Sequence, residues 1–286
     1  MDIQNLNAFL QVAERRSFSA AADALHLTQP AVSKRVAALE NQLGASLFDR
    51  MGRAVTLTEA GRALLPHARE IAGELARAQQ SIDDLGGSVS GRLRLATSHH
   101  IGLHRLPPVL RSFSERYPDV SLDIDFIDSE QAFDAVHRGR AELAIVTLPP
   151  APDPALHSRC LWPDPLDFMV SAEHPLARAL KPGLSQLSEH PAVLPGLSTF
   201  TGQIAREAFE SRGLTLDVSL STNYLETIRM MASVGLGWTL LPRDMLQPPL
   251  EVLKVPGLQL SRELGLVHHR SRQLSNAASA FISLLP

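Results

Sequence analysis

The chain has 286 residues, and a length of that order predicts about two structural units rather than one. Hydrophobic residues make up 44% of the chain and charged residues 20%, values typical of globular proteins that exclude a disordered or collagen-like chain. The net charge of −3 excludes a protein that holds nucleic acid by bulk positive charge, although a local basic patch is compatible with it.

Membrane anchoring and cysteine chemistry are also excluded. The sequence has no apolar run of the roughly 18 residues that a membrane span requires, and its polar start lacks the apolar segment of a signal peptide. We therefore expect a cytoplasmic protein without a membrane partner. Cys160 is the only cysteine, which rules out an internal disulfide and a multi-cysteine zinc site. We expect its thiol to be buried and inert.

The N-terminal segment reads as short helices in close succession. Apolar residues at helical spacing around Phe9 predict a first helix, and Ser17 or Ser19 can cap a second. A third helix begins with Thr28 as its N-cap and has Pro30 in the first turn, where a missing N–H costs nothing. Its apolar stripe is typical of a core-facing side, and its other side carries small, hydrogen-bonding and cationic groups. The stripe consists of Val32, Val36, Leu39 and Leu43.

A short helix, a tight turn and a second helix with a polar outer face match the helix-turn-helix, whose second helix enters the DNA major groove. Gln29 can pair with adenine, and Ser33 can bond to a base or a phosphate. Lys34 and Arg35 can hold phosphates. The alternative is a plain helical subdomain with a solvated face.

Two short apolar runs follow, at 47–48 and 55–57, and a polar segment containing Gly52 separates them. This pattern predicts a small hairpin, which would make the motif a winged helix-turn-helix. Arg50 and Arg53 would then reach the flanking phosphates or a minor groove. The predicted DNA-binding residues are Thr28, Gln29, Pro30, Ser33, Lys34, Arg35, Arg50 and Arg53.

A long helix is predicted from a Thr58 cap to the Gly86-Gly87 break. Its apolar residues alternate steps of four and three, which is the repeat of a coiled-coil seam. A helix with one narrow apolar stripe needs a partner helix, so we expect a dimer through this linker helix. The seam consists of Leu64, Ala68, Ile71, Leu75, Ala78, Ile82 and Leu85.

After Gly87 the pattern changes to strands that alternate with helices, in two successive series separated by a Pro-rich stretch at 149–154. Two β/α lobes are the natural result. The predicted strands are 92–96, 120–126, 143–146, 168–170, 192–194, 215–220, 236–241 and 264–268, and the predicted helices are 103–116, 131–138, 202–212, 224–234 and 274–285.

Several N-terminal motifs together resemble the signature of LysR-type transcriptional regulators, over about the first 65 residues. They are Phe18-Ser-Ala-Ala-Ala, Leu27-Thr-Gln-Pro-Ala-Val-Ser, Leu39-Glu-Asn-Gln-Leu-Gly, Leu47-Phe-Asp-Arg and Thr56-Leu-Thr-Glu-Ala-Gly61. The resemblance implies a homo-oligomer, commonly a tetramer, whose effector domains bind a small molecule between two lobes and alter promoter bending and transcription. Double-stranded promoter DNA and other copies of the chain are the implied partners, and RNA polymerase is a further candidate.

The fold class that follows is α/β, with three parts. A winged helix-turn-helix domain is expected at 1–58, a linker helix for dimerisation at 59–87, and a two-lobed effector domain resembling periplasmic binding proteins at 88–286. Lobe I would comprise about 91–165 and 265–286, and lobe II about 166–264.

An effector site is predicted where three polar segments converge between the lobes. Segments 97–100 and 199–202 each open a helix, and Thr147 ends a strand. Their hydroxyls and helix-terminal N–H groups suit a small anion. Ordinary capping is the alternative, because Ser and Thr favour helix starts regardless of function. The predicted effector-binding residues are Ser98, His100, Thr147 and Thr201.

This layout is similar to that of the cysteine-biosynthesis activators within the family, which implies a sulfate-like or thiol-metabolite effector. Most of the corresponding positions in that branch are threonines, and His100 departs from the pattern. The identity of the effector therefore stays open.

Other functions receive less support from the residues. His100 and His104 lie one helical turn apart, but no third metal ligand is evident, so we predict no metal site and no cofactor. Paired carboxylates, a nucleophile motif and a phosphate-binding loop are absent, so we predict no enzymatic activity. The alternative is a two-lobed, solute-binding-like protein without a transcriptional role. A solute-binding protein would need an export signal, which this sequence lacks, and that interpretation gives no role to the first 85 residues.

Overall fold

The computed structural model describes residues 1–51, 54–179 and 181–286, without the side chains at 50, 51 and 54. These residues form two compact units, Met1–Gly86 and Gly87–Pro286. None of the helices in the described ranges is long and apolar enough to cross a membrane. The predicted sites at the Arg50 side chain and at Arg53 lie outside the described residues.

The N-terminal unit consists of three short helices, a hairpin and one long helix. The Ser17 hydroxyl accepts a hydrogen bond from the Ala20 N–H (3.2 Å) and so caps the second helix as predicted. Thr28 occupies the N-cap of the third helix, but its side chain makes no capping bond. The elements are α1 (Ile3–Arg15), α2 (Phe18–Ala24), α3 (Gln29–Leu43), β1 (Phe48–Met51), β2 (Ala54–Leu57) and α4 (Glu59–Asp83).

One hydrophobic core joins the helices of this unit to the hairpin. Phe48 packs its ring against Phe9 and Phe18, with centroid distances of 5.4 and 5.7 Å. The Glu40 carboxylate accepts hydrogen bonds from the N–H groups of Leu47 (2.7 Å) and Phe48 (3.4 Å), which fixes the start of β1 against α3. The predicted stripe of α3 is buried at three of its four positions, and Leu43 is exposed because it lies in the last turn.

The apolar seam predicted on the linker helix is buried in its first part and exposed in its second. Ala68 is fully buried and Leu64 packs on the N-terminal core, so the first turns of α4 belong to this unit. Further along, the large apolar residues are exposed, and the exposed fraction reaches 63% at Ile82 and 85% at Leu85. Only the second half of the stripe is therefore available to another molecule.

The effector unit contains a mixed sheet of seven strands. Strands β3, β4 and β5 pair in parallel, and β6 and β11 pair antiparallel. The spatial order is β10-β6-β11-β5-β3-β4, and β9 also pairs with β6. The strands of this sheet are β3 (Gly91–Thr97), β4 (Val120–Phe126), β5 (Leu143–Thr147), β6 (Leu156–Ser171), β9 (Thr239–Pro242), β10 (Leu250–Leu253) and β11 (Leu260–His269).

Two further strands form a small parallel sheet, and seven α-helices cover the sheets. Helices α5, α6, α7 and α11 belong to the first lobe, and α8, α9 and α10 belong to the second. The remaining elements of the described effector unit are α5 (His99–His104), α6 (Pro107–Arg116), α7 (Ser129–His137), α8 (Leu184–Ser188), β7 (Ala192–Leu194), α9 (Phe200–Glu210), β8 (Val218–Ser221), α10 (Leu225–Ser233) and α11 (Asn276–Ile282), together with short 3₁₀ turns.

Each lobe has its own core. In the first lobe, Phe113 packs edge-on against Phe281, with centroids 5.2 Å apart. In the second lobe, Trp238 stacks on Phe209 at 5.5 Å, and its indole N–H donates to the carbonyl of Leu187 (2.9 Å). A buried indole therefore has the hydrogen-bond partner that its burial requires.

Several expectations about elements of the effector unit were wrong, among them the start of β11, which was expected at Leu264 and lies at Leu260, and helix α8, which was not predicted. The helix predicted at 103–116 is two helices, because Pro107 starts a new one. The strand predicted at 168–170 runs from Leu156 to Ser171, with prolines 163 and 165 obscuring its pattern. Strand β10 was not predicted. The strand expected at 236–241 begins only at Thr239.

Cys160 also differs from its expected environment, because its side chain is exposed. Its neighbour across the β6–β11 pair is Gly265, which has no side chain to cover the sulfur. Partial burial and the nearby Glu263 carboxylate raise the pKa of the thiol, so it is not held as a thiolate.

Gly61, which belongs to the motif that resembles the LysR signature, packs directly against the backbone of Leu47. A Cβ atom there would be 2.2 Å from the carbonyl oxygen of Leu47. The Thr58 hydroxyl, which caps α4 by accepting from the Gly61 N–H, also donates to the Ser46 carbonyl (2.7 Å). These contacts hold the start of α4 against the strand that follows α3.

We expect Gly61→Ala to lower the free energy of unfolding by about 1–3 kcal/mol, because backbone must move to admit the methyl group. Gly86→Ala is the matched control, since a Cβ there meets nothing within 4 Å, and it should change stability by less than about 1 kcal/mol. Urea denaturation followed by circular dichroism measures both. Equal unfolding curves for the two variants would contradict the packing role of Gly61.

Candidate DNA interface and effector cleft

The polar face predicted for DNA lies at the start of α3. Thr28, Gln29, Pro30 and Lys34 are exposed there, and Ser33 is half-buried. The amide of Gln29 lies 3.4 Å from the hydroxyl of Ser33, so the two groups form a short polar row along the helix. The structure thus leaves this face accessible at the end of the helix that reads bases in a helix-turn-helix.

Arg35 is less free than the sequence indicated. It is half-buried, and one guanidinium nitrogen donates to the side-chain carbonyl of Gln4 on α1 (2.8 Å). A guanidinium has five N–H donors, so this bond leaves others for a phosphate. Arg35 therefore also ties α3 to α1.

The four predicted effector residues line one cleft in the effector unit. Ser98, His100 and Thr147 come from the first lobe, and Thr201 comes from the second. The cleft encloses about 490 Å³, including the part that is open to solvent. Ser98 is the N-cap of α5 but makes no side-chain capping bond, so its hydroxyl is not used within that helix.

Arg262, which the sequence analysis missed, is a buried cation in the wall of the cleft. Its Nε donates to Asp164 (2.7 Å), and its Nη1 donates to the hydroxyl of Thr201 (2.9 Å). Its Nη2 is buried without a hydrogen-bond partner among the described residues. No sequence pattern indicated a role for Arg262. The strand predicted in this region began at Leu264, so Arg262 lay between two predicted elements.

Carboxylates of the first lobe bind backbone and amide donors of the second lobe across the cleft. Glu130 accepts a hydrogen bond from the N–H of Phe200 (2.6 Å), and Asp128 accepts one from the side chain of Asn223 (2.7 Å). The N-terminus of α9 therefore already holds an anionic group that belongs to the protein. Among the described cleft residues, the unused cationic donor is on Arg262.

His100 is buried in the cleft wall, with a side chain that is 4% exposed. Burial lowers its pKa, and the positive charge of Arg262 lowers it further, so the imidazole is neutral. Neither ring nitrogen has a hydrogen-bond partner among the described residues. A cationic imidazole that attracts an anion is therefore not the role this environment favours.

A carboxylate of the second lobe approaches His100 and its neighbour. Glu226 Oε1 lies 3.0 Å from His104 Nε2 and 3.6 Å from His100 Nδ1. Partial burial of Glu226 would raise its pKa, but hydrogen bonds from its own N–H and from His104 outweigh burial and lower it. In the sequence, no third ligand is evident beside the two histidines, so no metal site was predicted. The structure supplies a third candidate in Glu226.

Comparison with known proteins covers both units. Residues 3–62 match the family described as bacterial regulatory helix-turn-helix protein, lysR family, and residues 86–286 match the LysR substrate binding domain. The chain is 30% identical to the HTH-type transcriptional activator CmpR of Synechocystis over 288 residues, 99% of this chain and 94% of the relative. It is 33% identical to the HTH-type transcriptional regulator CysB of Haemophilus influenzae over 220 residues, 76% of this chain and 68% of the relative.

A solved structure of full-length CbnR complexed with its target DNA has the same fold. Its TM-score is 0.71 at 19% identity, and the match covers 100% of this chain and 99% of that one. A chain that joins a helix-turn-helix to a two-lobed ligand-binding domain is a DNA-binding transcriptional regulator. This chain belongs to the LysR family.

Family membership confirms the predicted fold class and the predicted regulatory function. It also confirms that the protein is a regulator rather than an enzyme, and it does not favour the solute-binding alternative. The roles assigned to single side chains of α3 and of the cleft stay predictions.

Proposed function

We propose that a small effector with an anionic group binds in the cleft at Arg262 and controls how the protein acts at promoter DNA. The observation that carries this proposal is the Nη2 group of Arg262, which is buried and unpaired among the described residues. A buried donor without a partner is costly, and an oxyanion that accepts from it removes that cost. The hydroxyls of Ser98 and Thr147 line the same cleft and add neutral donors.

The hydroxyl of Thr201 has a different role in this arrangement from the one predicted. It accepts from Arg262 Nη1, so it orients the guanidinium as well as lining the cleft. Asp164 holds the opposite edge of the guanidinium through Nε. The fork of Arg262 is thereby presented in one fixed direction, which suits the planar oxygens of a carboxylate or the oxygens of a sulfate-like group.

We infer that a sulfur oxyanion or a thiol metabolite belongs in the first set of effectors to test. The arrangement of Ser98, Thr147 and Thr201 and the similarity to CysB support this choice. The guanidinium of Arg262 also suits the planar oxygens of a carboxylate, so carboxylic acids belong in the same set.

The effector would act by changing the balance between lobe arrangements. Ser98 and Thr147 lie on the first lobe, Thr201 lies on the second, and Arg262 lies on β11 between residues of the two lobe cores, so a ligand that contacts all of them favours a closed cleft. A ligand shifts such an equilibrium only by its difference in affinity for the two states. We propose that this shift reaches promoter DNA through the oligomer, and that RNA polymerase is the partner that responds at the promoter.

We propose that the exposed half of the α4 stripe joins two copies of the chain. Ile71, Leu75 and Ile82 of α4 are apolar and exposed, and Leu85 is exposed in the 3₁₀ turn that follows the helix. Paired helices would bury them in a coiled-coil seam and would present two copies of α3 to two half-sites. A tetramer formed from such dimers is the assembly we expect.

Gln29→Ala should weaken binding mainly at one or two operator bases, because Gln29 is proposed to read a base edge, at a cost of about 1–3 kcal/mol. Lys34→Ala should weaken binding to all sequences and reduce the salt slope by about one unit. Mobility shifts and fluorescence anisotropy with the region beside the protein's own gene, and with random DNA, measure both effects. Gln42→Ala is the control, because Gln42 is exposed at the far end of the same helix. Equal losses on specific and random DNA for Gln29→Ala would contradict the base-reading role.

The double substitution Leu75→Asp and Ile82→Asp should split the dimer and lower operator affinity, because it buries like charges opposite each other in the seam. Ala76→Asp adds a charge to an exposed position beside the seam and should leave the dimer intact. Analytical ultracentrifugation of the full-length chain measures the oligomeric state. An unchanged oligomer in the double variant would show that another surface joins the subunits.

Arg262→Lys should weaken effector binding by about 1.5–3 kcal/mol, because the ammonium keeps the charge beside Asp164 but loses the free Nη2 donor. Thermal-shift and calorimetric titrations of the full-length chain with sulfate, thiosulfate, acetylserine and dicarboxylic acids measure it. Arg243→Lys is the matched control, since Arg243 pairs with Asp167 through two hydrogen bonds outside the cleft. Anions that stabilise the parent and Arg262→Lys equally would place the effector elsewhere.

A further inference from the structure

Two histidines and one carboxylate meet where the two lobes face each other, next to the effector cleft. His100 and His104 lie one turn apart on α5 of the first lobe, so their side chains share one face of the helix. Glu226 lies in the first turn of α10, in the second lobe. One donor atom from each of the three residues lies within 4.8 Å of the other two.

The distances between these donor atoms fit a metal ion. Metal–nitrogen and metal–oxygen bonds of about 2.0–2.2 Å place two ligand atoms of a tetrahedral site about 3.3 Å apart. Glu226 Oε1 lies 3.0 Å from His104 Nε2 and 3.6 Å from His100 Nδ1, on either side of that value. The ligand nitrogens of the two imidazoles lie within 4.8 Å of each other, so the imidazoles would turn toward each other to coordinate one ion.

The environment also favours a cation between these groups. His100 is nine-tenths buried or more, and neither of its ring nitrogens has a hydrogen-bond partner among the described residues. The charges of Arg262 and Asp164, which also act on His100, partly offset each other because the two groups form an ion pair. The ion-pair partners of Glu226 among the described residues are the two imidazoles, so no guanidinium or ammonium there offsets its negative charge.

We propose that His100, His104 and Glu226 bind a divalent transition-metal ion that joins α5 of the first lobe to α10 of the second. Two imidazoles and one carboxylate suit Zn²⁺, Co²⁺ or Ni²⁺, whereas Mg²⁺ and Ca²⁺ prefer sets of oxygen ligands. Three protein ligands leave one position of a tetrahedral site for water or another small donor. The site shares His100 with the wall of the effector cleft, but neither Arg262 nor Asp164 is among its ligands.

The bound ion would act on the relation between the lobes. Glu226 lies 122 residues after His104 in the sequence. Its helix, α10, packs in a different hydrophobic core from that of α5. Coordination replaces one weak hydrogen bond by three strong bonds, so it holds α10 against α5 and resists separation of the lobes. The regulator would therefore respond to a metal ion as well as to the anionic effector.

The test uses full-length protein that has been treated with a chelator and then titrated with Zn²⁺ and, separately, with Co²⁺. We expect one equivalent of Zn²⁺ per chain in competition with a chromophoric chelator, and a visible Co²⁺ spectrum of the tetrahedral type. Because even loss of an outer partner of a metal ligand costs about 10–100-fold in affinity, His104→Gln and Glu226→Gln should each weaken Zn²⁺ binding at least about tenfold. Mg²⁺ should produce no comparable binding.

Two controls separate a metal site from a hydrogen-bonded pair. His137→Gln removes a half-exposed histidine that lies 3.7 Å from one carboxylate, that of Asp153, and it should leave Zn²⁺ affinity unchanged. Glu226→Gln can still bond to His104, so it should preserve the fold and the melting temperature of metal-free protein while metal affinity falls. His104 is 42% exposed, which gives a second variant with little effect on folding.

Three results would overturn the proposal. The first is a parent protein that binds no Zn²⁺ above the level of the combined His104→Gln and Glu226→Gln variant. The second is Zn²⁺ affinity that is unchanged in both single variants. The third is a Zn²⁺-bound protein whose metal is lost on substitution of His174 or His190, a histidine pair with ring centroids 5.2 Å apart elsewhere in the second lobe.

Discussion

Strands β6 and β11 pair antiparallel from Leu156 opposite His269 to Leu166 opposite Leu260, and both strands pass from one lobe into the other. Near the Leu260 end of this pair, Asp164 lies directly opposite Arg262. Both side chains are almost completely buried, so removal of either partner would leave an uncompensated charge, at a cost of about 3–5 kcal/mol. The strand register therefore determines where the one buried ion pair of the cleft wall lies, and the remaining polar groups of the cleft are arranged around it.

A network of charged groups extends from this pair to both lobes. Asp164 also lies 3.4 Å from a guanidinium nitrogen of Arg105, which in turn bonds to Asp244 of the second lobe (2.8 Å). Arg262 extends the network to Thr201 on α9. A ligand that bonds to Arg262 therefore meets a group that is already fixed on two sides, and such preorganisation reduces the entropy lost on binding.

The contacts across the cleft show why the lobes can respond to small molecules. Glu130 and Asp128 bind donors of the second lobe through single hydrogen bonds, each worth about 1–3 kcal/mol at most. The proposed effector and the proposed metal ion would each add contacts of similar or greater strength between the same lobes. A few such bonds are enough to shift an equilibrium between lobe arrangements, because each 1.4 kcal/mol changes the ratio tenfold.

The sequence alone determined the class of protein and most of its elements. Periodicity and capping residues located α1, α2, α3 and α4, because the contacts that set helix boundaries lie within a few residues of one another. The same patterns identified Ser98, His100, Thr147 and Thr201, since polar residues that end strands and open helices are visible locally. The seam of α4 was also visible, but its division into a buried and an exposed half was not, because that depends on what packs against each turn.

Only the tertiary structure shows that Arg262, with its partner Asp164, and Glu226 lie beside the predicted effector residues. Arg262 bonds to Asp164 across 98 residues of sequence, and Glu226 meets His104 across 122. No local pattern marks such pairs, because a single Arg, Asp or Glu in a variable segment is usually a solvated surface group. The pairing of β6 with β11 and the approach of the two lobes bring them together, and both depend on contacts between residues distant in the chain.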